Sequence, residues 1–332
     1  MGKTYSTGLI ISPAEIQHNM AMFAATAKLL RAVEHPSSFD WRNFEGKNYT
    51  TPIRDQGKCG SCVAFATVAL MESMMEITKK DATLQPDLSE AYLFPRGGGR
   101  CETGAQFVRM LMAAESGVCD ELCCPYAGDW KPCPDFKSRL TKITSYKTIY
   151  SSDQAKAHIA STGPIMSGLA VYADFFDHDG GIYSQDYGDF VGNHAVLLVG
   201  YNDAEDCWIG KNSWSTSWGE DGWFKIKEGE CGMGSTFPFY SAAIGTGLVP
   251  PSPGAPDITV PIDGTLYVTM TKAGTGDAIL LVNNTKIGPF TLGETLTAGE
   301  FKKGDAIQFD LMGIDHKNVC FPSGWRIWTL RM

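Results

Sequence analysis

The chain has 332 residues, 43% hydrophobic and 20% charged, the balance of a globular protein long enough to bury a large core. A formal net charge of −9 argues against a nucleic-acid partner, which would want a basic face. No run reaches the roughly 18 apolar residues of a membrane span, and Leu9-Ile10-Ile11 is too short for the apolar core of a signal peptide.

In chain order, residues 1–36 come first. Ser12-Pro13-Ala14-Glu15 supplies an N-cap serine, a proline at the first helical position and an acid in the first turn, ahead of an apolar run to Val33. One amphipathic helix is expected, either lying along a cleft or packed on a domain surface. The stretch Asp55-Gln56-Gly57-Lys58-Cys59-Gly60-Ser61-Cys62 follows, with Val63 to Ile77 rich in Ala, Met and Leu and free of Gly and Pro. That run predicts a long buried helix with Cys62 in its first turn, where the helix dipole and a neighbouring imidazolium favour thiolate. Cys59-Gly60-Ser61-Cys62 by itself reads more readily as a disulfide or half of a zinc site.

Asn193-His194-Ala195-Val196-Leu197-Leu198-Val199-Gly200-Tyr201 then puts a histidine at the head of an apolar strand, 132 residues after Cys62. Lys211-Asn212-Ser213-Trp214 follows, with Asn212 lying 150 residues after Cys62, and Trp218-Gly219-Glu220-Asp221-Gly222-Trp223 comes next. After this the segment from Gly245 to Pro256 holds four prolines and three glycines and reads as a stiff linker at 248–256. Beyond it, Thr265 to Met270, Ala278 to Val282 and Ile307 to Leu311 alternate in polarity between Gly, Asn and Asp breaks, which predicts a small all-β sandwich over 257–332. Trp325 and Trp328 offer it a carbohydrate or protein partner, although aromatics in so small a unit more often serve the core.

The cysteine, histidine and asparagine blocks, in this order and at these distances, resemble the papain-like cysteine proteases over about residues 37–245. Ser38-Phe39-Asp40-Trp41-Arg42 is similar to the start of a mature enzyme of that family, and Gly163-Pro164-Ile165 with Gly180-Gly181-Ile182-Tyr183 to the strand and turn before its histidine. The resemblance implies an α+β, two-lobed fold over 37–247: a helical lobe carrying Cys62, a β-rich lobe carrying His194 and Asn212, and a cleft between them. It also implies roles. Cys62 is the nucleophile, His194 shares and later donates its proton, and Asn212 orients the imidazole. Gln56 with the Cys62 backbone N–H holds the oxyanion, Trp214 shields the His194–Asn212 hydrogen bond, and Gly104 edges the substrate backbone. In such a family residues 1–36 read as a propeptide-like extension of a zymogen.

This sequence departs from the family pattern in places. Val63 stands where Trp is usual, Arg100-Cys101-Glu102-Thr103-Gly104 keeps only Cys101 and Gly104 of Cys-x-Gly-Gly, and Ser215 and Ser217 replace two glycines. None of these removes a group that moves a proton.

Ten cysteines leave nine beside the nucleophile, an odd number. The resemblance implies Cys59 with Cys101. Cys207 with Cys231 is plausible, Cys119, Cys123, Cys124 and Cys133 offer two more bridges of unreadable connectivity, and Cys320 is the odd one. A zinc site in that cluster is the rival reading, weakened by irregular spacing and the lack of an interleaved histidine. A disulfide framework favours an oxidising compartment, secreted or lysosome- or vacuole-like. The expected protein is a monomeric endopeptidase needing no cofactor or metal and acting on protein or peptide substrates. The alternatives are a binding scaffold on a protease fold, with the β-sandwich making the contacts, and a papain-like acyl transferase.

Overall fold

A computed structural model describes residues 5–29 and 33–245 and the backbone of strands between 258 and 312. The linker at 248–256, Cys320, Trp325 and Trp328 lie outside the described residues.

The chain enters as an extended strap over residues 5–11 and turns into helix α1, Pro13–Leu29. Its start is as the sequence predicts. The Ser12 hydroxyl accepts from the Glu15 N–H at 3.2 Å while a Glu15 carboxylate oxygen accepts from the Ser12 N–H at 2.8 Å, a reciprocal capping box. The helix lies on the body of the protein, with Asn19 donating to the Thr236 carbonyl at 3.0 Å and the Phe23 ring meeting Tyr150 at 5.5 Å.

Strand β1 (Ser38–Asp40) leads to the central helix α2, Cys62–Lys79, within a helical lobe completed by α3 (Glu90–Arg96) and α4 (Phe107–Ser116). Residues 62–76 of α2 are buried all round, which is why the run reads as continuously apolar instead of striped. The helix ends at Lys80 in a left-handed conformation (φ 55°), whose N–H caps the Glu76 and Ile77 carbonyls.

The second lobe is a sheet of eight strands with α5 (Ser152–Ser161) packed against it. Its strands are β2 (Ile143–Ile149), β3 (Ile165–Tyr172), β4 (Ile182–Tyr183), β5 (Phe190–Asn202), β6 (Cys207–Lys211), β7 (Trp223–Lys227) and β8 (Phe239–Ile244). They run in the order β2-β8-β3-β5-β6-β7-β4, with β1 paired to β5. The Ala195–Val199 stretch of β5 is buried throughout and packs against α2, so β5 is where the lobes meet.

Behind that meeting line the lobes are pinned by buried polar groups. A Glu72 carboxylate oxygen on α2 accepts from the Thr51 hydroxyl at 2.5 Å, that hydroxyl accepts from the Lys211 ammonium of β6 at 2.9 Å, and the other Glu72 oxygen accepts from the Leu88 N–H at 2.8 Å. Burial raises the Glu72 carboxyl and lowers the Lys211 ammonium, each opposed by the other's charge.

In the C-terminal part, β10 (Gly264–Thr269) pairs antiparallel with β13 (Thr295–Phe301). Strands β12 (Thr285–Phe290), β11 (Asp277–Val282), β14 (Ala306–Met312) and β9 (Ile258–Thr259) form a second antiparallel sheet in that order.

Candidate active site

Cys62 is the first residue of α2, His194 lies within β5, and Asn212 follows the last residue of β6, so one helix and two neighbouring strands bring the three to the line where the lobes meet. His194 Nε2 donates to Asn212 Oδ1 at 2.8 Å, and that oxygen also accepts from the Ser213 N–H at 2.8 Å, which fixes the amide. His194 Nδ1 is buried with no hydrogen-bond partner, as a nitrogen reserved for a proton from elsewhere would be. The Trp214 ring stacks on the imidazole with centroids 4.4 Å apart and is itself 1% exposed.

Gln56 is held at both ends of its amide. Its Oε1 accepts from the Ser213 hydroxyl at 2.7 Å, which turns Nε2 toward the cleft, where it donates to the Cys59 carbonyl at 2.9 Å and the Ser6 carbonyl at 3.1 Å. Tyr126 supports the same loop from beneath. Its hydroxyl donates to the Gln56 carbonyl at 2.9 Å and pairs with the Ser61 hydroxyl at 2.6 Å, while its ring meets Phe65 edge-on. Nothing in the sequence pattern points to Tyr126, because it comes from the cysteine-rich loop more than 60 residues on in the chain.

The cleft is occupied by the protein's own strap. Ser6 presents its carbonyl to Gln56 Nε2 and to Trp214 Nε1, the latter at 3.1 Å. The Gly8 and Leu9 N–H groups donate to the Asn193 carbonyl at 3.1 and 2.9 Å, and Gly8 and Ile10 bracket Ala105 with hydrogen bonds of 2.8 Å each. Gly60 and Gly104 make this approach possible. A Cβ on Gly60 would lie 2.9 Å from the Thr7 oxygen, and one on Gly104, where φ is +89°, would collide with the Gly8 carbonyl. Leu9 is 7% exposed, set against Gly168 and Phe237.

Covering changes the electrostatics. With the strap in place Cys62 and His194 are 0% exposed, and burial pushes the thiol up to about 12 and the imidazole down to about 4, the bond to Asn212 opposing the second shift. Burial thus favours the neutral form of both groups in this covered state, whereas the sequence argument anticipates an ion pair.

The disulfides agree in part with expectation. Cys59 and Cys101 are joined, tying the loop before Cys62 to the Gly104 edge, and Cys123 is joined to Cys133. Cys207 and Cys231 are not paired. The first lies 3.8 Å from a Glu205 carboxylate oxygen, the second beside Tyr183, and Cys119 and Cys124 are also free thiols. Cys123, Cys133 and Asp135 bring their donor atoms within 4.8 Å of one another, but the disulfide uses the two thiolates a zinc ion would need.

A helical lobe facing a β lobe, with a cysteine at a helix start and a histidine–asparagine pair across the cleft, defines a thiol hydrolase of the papain type. The papain family cysteine protease profile matches residues 35–240, and the chain belongs to that family. It is 32% identical over 225 residues to cysteine proteinase 1 of Entamoeba histolytica, spanning 64% of this chain and 70% of that protein. It is 31% identical to cathepsin B-like CP3 of Giardia intestinalis (61% and 73%) and 33% identical to the cathepsin L-like proteinase of Fasciola hepatica (60% and 64%). Among solved structures, procathepsin B S9 from Trypanosoma congolense superposes with a TM-score of 0.55 at 22% identity, covering 73% of this chain and 83% of that one, a likeness of fold. The chain is a papain-like cysteine peptidase whose substrates are proteins or peptides. Among the described residues no helix is long and apolar enough to cross a membrane.

Proposed function

We propose that the chain is an endopeptidase working through a thioester on Cys62, and that residues 1–36 restrain it as a propeptide-like extension. The observation that carries the reading is the Ser6 carbonyl resting on Gln56 Nε2, a peptide carbonyl already seated at the donor that would hold an oxyanion. In the reaction the Cys62 thiolate attacks the scissile carbonyl carbon. The negative charge passes to the carbonyl oxygen, met by Gln56 Nε2 and the Cys62 N–H. Collapse breaks the C–N bond as His194 gives its proton to the departing amine. Water then attacks the thioester, His194 takes its proton, and the C–S bond breaks to release the acid and restore the thiol. Asn212 keeps the ring oriented throughout, and Trp214 keeps water from that hydrogen bond.

The strap's direction supports the restraint. The departing amine takes its proton from His194, so the residues after a scissile bond lie on the His194–Trp214 side of the cleft. The strap has Ser6 on that side and Leu9 on the far one, against Phe237, so it runs backwards to a productive substrate. It can fill the cleft without offering a bond to cut.

On this reading 37–247 is the catalytic unit, 248–256 a linker and 257–332 a β-sandwich accessory domain whose Trp325 or Trp328 meets a carbohydrate or protein partner. The two disulfides support a secreted or lysosome-like setting. A bare binding scaffold is disfavoured, since it has no use for Gln56, Cys62, His194 and Asn212 together. Labelling with a mechanism-based epoxide and mapping the modified residue tests the reading: Cys62 is expected, and a label confined to Cys320 or to the 119–133 cluster would overturn it.

A further inference from the structure

Tyr5 is the strap residue that reaches furthest toward the leaving-group side, and its environment is more specific than that of its neighbours. Its ring stacks on Trp214 with centroids 4.9 Å apart and planes 10° from parallel, and meets Phe176 edge-to-face at 5.8 Å and 60°. Phe176 and Trp214 are themselves 5.5 Å apart at 64°, forming two walls of an aromatic corner. The corner is rigid. Phe176 belongs to the turn at Ala173–Asp177, and its neighbour Phe175 is fully buried against Trp214 and Trp218. Trp214 is fixed by its stack on His194 and by Trp218 edge-on at 5.2 Å.

We propose that Trp214 and Phe176 form an aromatic clamp on the leaving-group side of the cleft, which selects substrates with an aromatic residue shortly after the scissile bond and is filled by Tyr5 in the resting chain. The inference rests on the peptidase reading of the Cys62 site and adds a substrate class to it. A ring entering the corner gains a stacked and an edge-on contact together, which an aliphatic side chain of similar size does not. Phe176 is the specificity-determining member, because Trp214 also serves His194. Since the strap runs backwards, the clamp fixes the chemistry of the occupant while leaving its position as the first or second residue after the scissile bond.

Two measurements on the full chain test the clamp. The first is the alkylation rate of Cys62, which reports how firmly the strap is held. Tyr5→Ala should speed it several-fold and Tyr5→Phe should leave it unchanged. Adding Phe176→Ala to Tyr5→Ala should speed it no further, because the contact is already gone. Rates that are alike in all variants, or simply additive, would overturn the clamp. The second uses the Tyr5→Ala chain and peptide pairs carrying Tyr or Ala at each of the two positions after the cleaved bond. A ratio of kcat/KM favouring Tyr by roughly tenfold at one position is expected. It should fall toward one in Tyr5→Ala/Phe176→Leu, a change that keeps the bulk and removes the ring. Cleavage with no Tyr preference would overturn the clamp and leave the peptidase reading intact. If Cys62 alkylates but no peptide is cut even by a chain beginning near Pro36, where the strap no longer covers the site, the peptidase reading fails and takes the substrate class with it.

Discussion

Cys62 and the pair Cys119 and Cys124 are all free thiols sealed from solvent, and burial raises the pKa of each. What seals them differs. Cys119 and Cys124 lie in the 119–133 loop within the helical lobe, held by bonds from Ser89 to their carbonyls and buried in the hydrophobic core. Cys62 lies beneath residues 6–9 of a strap that reaches it across the cleft and is held by backbone hydrogen bonds to Asn193 and Ala105. Burial alone therefore does not mark a thiol as inert. The useful question is whether the covering piece belongs to the core.

The sharpest way to break this comparison is substitution at each sulfur. Cys62→Ala should lower peptide hydrolysis by at least about 10³-fold with the fold retained. Cys119→Ala should leave turnover within about twofold while costing roughly 1 kcal/mol of stability for the cavity, read by denaturant unfolding. Activity surviving the first change would mean that the wrong cysteine has been singled out.

Removing the cover should be nearly as large. In the full chain burial pushes the thiol up to about 12 and the imidazole down to about 4, so alkylation of Cys62 by a neutral reagent should be slow and should climb steadily from pH 5 to 9 with no plateau, as the small thiolate fraction grows. In a chain beginning near Pro36 water and mutual attraction restore the ion pair. The rate at pH 6 should then rise on the order of 10²-fold as the pair forms in acid, while acylation by a peptide should follow a bell that climbs with the pair and falls as His194 loses its proton. Asn212→Ala should narrow that bell and lower its top. Equal rates with and without residues 1–36 would show that the segment is structural, and a single rise near pH 8.5 would show an ordinary thiol.

Tyr126→Phe sharpens the comparison from the other side, since it loosens the nucleophile loop and leaves the cysteine cluster covered. Losing both hydrogen bonds of its hydroxyl, to the Gln56 carbonyl and the Ser61 hydroxyl, at a net cost of about 1 kcal/mol, should lower kcat roughly fivefold with KM little changed. A change in KM alone would place Tyr126 in substrate binding instead.

The smallest effect concerns the far end of α2. Glu76 is buried with one oxygen unpartnered, and desolvation raises its carboxyl to about 7. The folded chain thus holds a proton that the unfolded chain gives up near 4.5, so this group's contribution to stability is full in acid and lost as pH rises through about 7. Glu76→Gln should raise Tm at pH 7.5 by a few degrees and have little effect at pH 4, by thermal unfolding.

The family, and with it the choice of residues to propose for the site, was legible because its motifs are short local strings. Cys62, His194, Asn212 and Gln56 each sit at the end of a strongly patterned segment, and the chain order of those segments fixes the lobes. The capping box at Ser12 and Glu15 was legible for the same reason. What failed to show depends on contacts between distant segments. The strap over 5–11 carries only a mixed run of small and apolar residues, and its role exists only beside Gly60, Gly104 and Trp214. The expectation fell on the helix that follows it. Cys207 and Cys231 were matched by neighbourhood in sequence, but strand pairing sends one to the start of β6 and the other to a turn beside Tyr183. The Glu72–Thr51–Lys211 pin was invisible because a buried charge looks like a surface one until its partners are known.

On the restraint proposed above, the strap's reversed direction would also govern how such a protein switches on. A segment whose bonds face the nucleophile the wrong way round is not cut by the site it fills, so the first active copies must arise by rare opening, and each of them then clips others. Onset becomes a chain reaction between molecules. Its lag shortens as the protein is concentrated, and dilution keeps the population silent.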